Sequence, residues 1–321
     1  MFLINTLKKS LFSFQKKEPI YIKIVYLTFL LFGFNKISFF FFKKYLGNKV
    51  NISSNDLETF FYRSKLSKND FLNEAFLFKK NNQNNRLKKN LVNSQDIFKI
   101  VKEIDELSFQ NISKIINIDE IDIREFKKLC LSSYAYDSQV PLQSSVLKKK
   151  IDNKFNYYSL DPGQSNLQKF YFKILRNKKL KEIINLYLGF EGNLFAINTM
   201  ITKANSKSRH SVTSMHRDYD DLHFITMFIY WNDVNKDDGA TSIIQGSHRS
   251  KLSSEKKIYL EGPAGSVFLV DTLGFHSGNV NLKKDRIVTA MRFGKSLNPA
   301  SYINKDYLFF REYNQLYNDS I

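Results

Sequence analysis

The chain has one cysteine, Cys130, among its 321 residues. It therefore has no intramolecular disulfide framework and no multi-cysteine zinc or iron–sulfur site, and it suits a reducing, cytoplasmic setting. Five prolines and twelve glycines are too few for a collagen-like or proline-rich low-complexity chain. A long apolar run is also missing. The stretch Ile24–Phe34 continues for eleven residues before Asn35 and Lys36 interrupt it, and Ile37–Phe42 follows. A spanning helix needs about 20 apolar residues, and a lysine in hydrocarbon is costly. No small-residue cleavage site follows, which argues against a signal peptide. The segment either packs on the domain that follows it or lies on a membrane surface with its lysines at the headgroups.

Acidic residues are scarce relative to basic ones, 31 against 49, for a formal charge of +18. Residues 1–100 hold 18 Lys and Arg and 6 Asp and Glu, so two-thirds of the excess sits there. The chain is rich in Lys, Asn, Ile and Phe and poor in Arg, Ala and Gly. A/T-rich codon usage produces that balance without a polyanion partner, so no nucleic-acid partner is expected. The hydrophobic share is 43%, with 30 Phe and 17 Tyr, enough to bury a sizeable core and to exclude a disordered chain.

Four regions follow from the texture: a basic, aromatic-rich segment at 1–50, a helix-leaning region at 51–165, a region at 166–296 that turns to strands, and a C-terminal extension at 297–321. In the second, apolar residues at 97, 98, 100, 101, 104 and 107 share a helix face. Residues 166–190 read as one amphipathic helix closed by Gly189. Short strands are expected at 194–202, 223–231, 241–245, 265–271 and 286–293, separated by turns such as Lys236–Gly239. Helices first and strands after give an α+β class with an antiparallel sandwich or barrel of jelly-roll type.

The residues that carry chemistry are His216, Asp218 and His276. Positions i and i+2 of an extended segment point the same way, so His216 and Asp218 aim together and Arg217 faces out. Two imidazoles and one carboxylate form a facial triad. Such a set holds Fe(II) and leaves positions open for a co-substrate and O2. Arg286, ten residues after His276, opens a strand on which Arg286, Val288, Ala290 and Arg292 share a face. A guanidinium fork there suits the far carboxylate of a 2-oxoacid. By contrast, His248 reads as a turn-holding residue, His210 and His223 as surface or substrate-side, Asp220 and Asp221 as a solvated loop, and Lys203 as a strand-end lysine that faces solvent or reaches a substrate or co-substrate carboxylate.

The run from about 166 to 296 resembles the phytanoyl-CoA dioxygenase (PhyH) family. The matching pieces are Tyr187-Leu-Gly189, His216-Arg-Asp-Tyr-Asp-Asp221, Phe228-Ile-Tyr-Trp-Asn-Asp-Val234, Gly239-Ala-Thr-Ser-Ile-Ile-Gln-Gly-Ser-His-Arg249, Gly265-Ser-Val-Phe-Leu-Val-Asp271 and His276…Asn281…Arg286. The resemblance implies a double-stranded β-helix (jelly-roll, cupin-like) core with flanking N-terminal helices. It implies His216, Asp218 and His276 as Fe(II) ligands and Arg286 as the 2-oxoglutarate anchor, with Arg292 the alternative. It also implies hydroxylation of an aliphatic C–H bond in a small-molecule or lipid-like substrate, with release of succinate and CO2. Related halogenases lack the carboxylate ligand, and Asp218 is present here. A ligand-binding or membrane-surface protein without turnover is the competing reading.

Overall fold

The computed structural model describes residues 72–81 (except 74), 95–133, 135–137, 157–160, 165–204, 214–249, 256–279 and 283–295. The aromatic-rich segment at 1–50 and the extension at 297–321 lie outside the described residues, as does His210. Among the described residues, no helix is long and apolar enough to cross a membrane.

After a short helical stretch at 75–81 come four helices, α1 (Gln95–Leu107), α2 (Glu120–Ser132), α3 (Ser165–Leu175) and α4 (Lys178–Leu188). Helix α1 buries Ile97, Val101 and Ile104, one stripe at helical spacing. Helix α2 starts where the Asp119 carboxylate accepts from the Asp122 N–H at 2.7 Å. Burial of Cys130 on its inner face pushes that thiol well above the usual range, so it is an inert packing residue. The expected single helix over 166–190 is two helices. Asn177 interrupts it, because its side chain accepts from the Leu180 N–H at 3.0 Å and caps a new start. Gly189 closes α4 in the left-handed conformation at φ 78°.

The strands are β1 (Phe109–Asn111), β2 (Ala135–Asp137), β3 (Tyr157–Leu160), β4 (Asn193–Thr202), β5 (Phe224–Tyr230), β6 (Thr241–Ile244), β7 (Lys257–Tyr259), β8 (Val267–Val270), β9 (His276–Gly278) and β10 (Arg286–Gly294). They form a seven-stranded sheet, ordered β1-β8-β5-β10-β4-β3-β2, and a three-stranded sheet, β7-β6-β9. All of these pairings are antiparallel. The region at 51–165, expected to be helical, contributes β1, β2 and β3, which extend the large sheet at both edges. Three or four residues carry too little alternation to stand out from a helix-leaning background.

Strand β5 is buried along its whole length, as a strand covered on both faces must be. Ile225, Met227 and Ile229 face the helices, joined there by Ile197, Leu269, Ile287 and Met291. Phe228 and Tyr230 face the small sheet with Val270, Ile243, Val288 and Ala290. The helix-side layer is anchored by Trp231, whose ring stacks on Phe126 of α2 at 3.7 Å and whose Nε1–H donates to Thr289 Oγ1 at 2.8 Å. The register of β10 against β4 shifts between Arg292 and Phe293, while its pairing with β5 runs on unbroken.

Candidate metal centre

His216 and His276 face each other across a backbone bridge, each N–H donating to the other's carbonyl at 2.9 Å. Two residues on, the Asp218 N–H donates to the Thr272 carbonyl at 2.9 Å. These three bonds fix an extended segment against the start of β9, so His216 and Asp218 emerge on one side. The three side chains converge, each offering a ligand atom within 4.8 Å of the others. Both His216 Nε2 and His276 Nε2 lie 3.6 Å from an Asp218 oxygen.

The imidazole tautomers follow from their partners. His216 Nδ1 lies 2.8 Å from the Ser214 carbonyl and His276 Nδ1 lies 3.0 Å from the Gly274 carbonyl. A carbonyl only accepts, so each Nδ1 carries the hydrogen and each Nε2 presents a lone pair toward Asp218. Outer backbone acceptors holding Nδ1–H are the usual support of a ligating histidine. Two imidazole lone pairs and one carboxylate on a common point suit a first-row divalent ion.

Electrostatics agree. Burial alone would raise the Asp218 carboxyl, but Arg292 first, then His276 and His216, outweigh it and hold it well below the usual range. The Asp218 carboxylate beside it raises His216, against its own burial. Burial lowers His276 more than Asp218 raises it. The carboxylate is thus ionised and the buried imidazole neutral, the forms that ligate a cation.

The two arginines on β10 have different surroundings. Arg292 bridges carboxylates, with Nη2 at 3.2 Å from Asp218 and Nε at 3.3 Å from Asp220. Arg286, six residues and about 20 Å away along the strand, is 3% exposed and donates to the Gly239 carbonyl. Arg286 has no carboxylate partner among the described residues. A buried cation without a counter-charge is costly, and a ligand carboxylate is the group that would complete it.

Several expectations need correction. Arg217 does point away from the cluster, but it is buried rather than facing out. It donates to the Ser247 and Leu273 carbonyls at 2.7 and 2.6 Å and lies 3.9 Å over the Phe275 ring. Asp220 and Asp221 are buried, not solvated, because Arg292 pairs with the first and the Leu222 N–H donates to the second. His223 is buried beside Tyr187 and Phe190 rather than at the surface. Lys203 pairs with Asp285. His248, by contrast, does act through hydrogen bonding as expected, bonding Ser108 through Nδ1 at 2.6 Å. Sequence reasoning missed Asp271, buried between Lys79 and Tyr187, since its partners lie 192 and 84 residues away.

No protein-family model matches the chain, and no curated protein matches it. Among solved structures, it is similar to the epimerase SnoN in complex with Fe3+, alpha ketoglutarate and nogalamycin RO, at 12% identity and a TM-score of 0.48, covering 62% of this chain and 84% of that one. It is also similar to HygX from Streptomyces hygroscopicus, solved with nickel, 2-oxoglutarate and hygromycin B, at 12% identity and 0.46, covering 64% and 94%. The carbocyclase SnoK from nogalamycin biosynthesis matches at 14% and 0.44, covering 62% and 83%.

Proposed function

We propose that the chain is an Fe(II)- and 2-oxoglutarate-dependent dioxygenase that hydroxylates an aliphatic C–H bond of a small-molecule or lipid-like substrate. The observation that carries this reading is the convergence of His216, Asp218 and His276, with both Nδ1 atoms tied to backbone carbonyls. The two antiparallel sheets enclosing a shared apolar layer are read as a double-stranded β-helix.

Iron, 2-oxoglutarate and O2, when bound, supply the oxidant for the C–H bond and release succinate and CO2. The chain's own residues hold and orient. His216 Nε2, His276 Nε2 and one Asp218 oxygen would ligate the iron. Arg292 holds the Asp218 carboxylate from its other oxygen, fixing its orientation. Arg286 would receive the far carboxylate of 2-oxoglutarate in a two-pronged bond. Phe228, Val270, Val288 and Ala290 wall the space between the sheets with apolar groups, which excludes water from the site. A carboxylate at 218 favours hydroxylation over halogenation, because halide would need that ligand position.

The experiment is anaerobic reconstitution with Fe(II), followed by O2 and 2-oxoglutarate. Succinate should form in the native protein and not in Asp218→Ala. Succinate formation that is independent of iron, or equal in the variant, overturns the reading; a folded protein that binds iron without turnover supports the competing ligand-binding reading instead.

A further inference from the structure

The turn from Asp271 to Gly274, between β8 and β9, presents three successive carbonyls to the histidine–aspartate cluster. The Thr272 carbonyl accepts from the Asp218 N–H at 2.9 Å, that of Leu273 from Arg217 Nη1 at 2.6 Å, and that of Gly274 from His276 Nδ1–H at 3.0 Å. Arg217 stands between His216 and Asp218 in the chain. The turn therefore grips that segment by its backbone and its middle side chain, and it holds the second imidazole directly. Outer acceptors of this kind set the orientation of metal ligands.

A trans peptide is planar, and its N–H and C=O point opposite ways. Whatever holds each N–H of the turn thus aims the carbonyl joined to it. The Leu273 N–H donates to Asp271 Oδ1 at 3.1 Å, opposite the Thr272 carbonyl. The Gly274 N–H donates to the Asp271 carbonyl at 3.0 Å, opposite that of Leu273. The Phe275 N–H donates to Ser247 Oγ at 2.8 Å, opposite that of Gly274. Asp271 supplies two of these three anchors, one from its side chain and one from its backbone.

The same carboxylate is held from the helix side. Val270 faces the space between the sheets, so Asp271, the next residue, faces the other way. It is fully buried there, and its Oδ2 accepts from Lys79 Nζ of the helical stretch at 75–81 and from the Tyr187 hydroxyl of α4. Burial alone would raise this carboxyl, but Lys79 foremost outweighs it and holds it at about 2. Ionised, the group accepts on both oxygens at once, and charge strengthens each bond. We propose that Asp271 is a positioning residue of the metal centre: its Oδ1 aims the turn whose carbonyls hold Asp218 and His276 in ligating orientation, while Lys79 and Tyr187 fix the carboxylate. This role rests on the iron-binding reading of the cluster.

The test titrates Co(II), an air-stable reporter for the iron position, into the full chain and follows its d–d absorption. Two double variants are compared, Lys79→Met/Asp271→Asn and Lys79→Met/Asp271→Leu. Both remove the buried ion pair without leaving a lone charge, and they differ in one respect. Asparagine keeps an oxygen for the Leu273 N–H and leucine does not. The leucine protein should bind Co(II) about tenfold more weakly than the asparagine protein, the lower end of the effect of outer partners on metal affinity. Urea midpoints taken alongside report any loss of stability separately. Should the leucine protein not fold, Asp271→Ser and Asp271→Ala in the Lys79→Met background give the same contrast, since a serine hydroxyl also accepts from the N–H two residues on; the serine protein should bind more tightly. Equal affinity within the folded pair, with native protein binding Co(II) and Asp218→Ala not, would overturn the positioning role and leave the metal centre standing. Native protein that does not bind Co(II), or Asp218→Ala that binds it as tightly, would overturn the iron-binding reading itself and this role with it.

Discussion

The buried, neutral state of His248 makes a quantitative prediction about acid stability. In the unfolded chain this imidazole titrates near 6.5, whereas in the folded protein its pKa is pushed down to about 3. Above pH 6.5 neither state holds the proton and the folded state has its full stability. As pH falls below 6.5, the unfolded chain gains a proton that the folded chain refuses. Stability then drops by up to about 1.4 kcal/mol per pH unit until the folded ring titrates near 3. Between pH 7 and 4.5 the loss from this one residue is about 3 kcal/mol. With a urea m-value of about 3 kcal/mol/M, the midpoint moves down by about 1 M. The window is free of the buried acids, since Asp271, held at about 2 chiefly by Lys79 against its burial, loses its contribution only below about pH 4. His276, also depressed by burial, slopes in the same direction, so the contrast between proteins is what isolates His248. Urea midpoints measured for native protein and His248→Asn from pH 7 to 4.5 should converge as pH falls, the variant starting lower and losing less. Parallel curves would refute the reasoning.

Three further outcomes follow from named contacts. Arg286→Met should raise the KM for 2-oxoglutarate about 100-fold, since a charge-assisted two-pronged bond is lost, while iron affinity measured by titration stays unchanged. Phe126→Ala removes a fully buried ring stacked on Trp231 and should cost about 3–5 kcal/mol, read from urea unfolding. Arg292→Gln leaves Asp218 and Asp220 without their shared cation. The Asp218 carboxyl should then titrate higher, so the lower limb of the pH profile for iron binding should move upward; an unmoved limb would contradict the role given to Arg292.

The features legible in the sequence are those that depend on near neighbours. Strands β4, β5, β6, β8 and β10 declare themselves because each has four or more residues of apolar or alternating pattern between turn residues. His216 and Asp218 can be paired because a spacing of two puts both on one side of an extended chain. The strand face shared by Arg286, Val288, Ala290 and Arg292 is visible for the same reason. Long-range pairing hides the rest. Asp220 looks like a loop acid until Arg292 folds onto it, and Asp271 looks like a strand end until Lys79 and Tyr187 close over it. Asn177 divides a helix that periodicity alone reads as continuous, because a cap acts through one hydrogen bond that leaves the apolar spacing intact. Strands β1 and β9 are three residues each; register with β8 and β6 makes them strands, and that register is absent from their own sequence.

In the proposed function, His216, Asp218 and His276 hold iron and Arg286, rather than Arg292, receives the co-substrate. Anomalous diffraction at the iron edge, from crystals grown anaerobically with Fe(II) and 2-oxoglutarate, tests both parts at once. The expected density shows one iron bonded to His216 Nε2, His276 Nε2 and a single Asp218 oxygen, with the far carboxylate of 2-oxoglutarate on the Arg286 guanidinium. Iron bound elsewhere, or that carboxylate seated on Arg292, would contradict it.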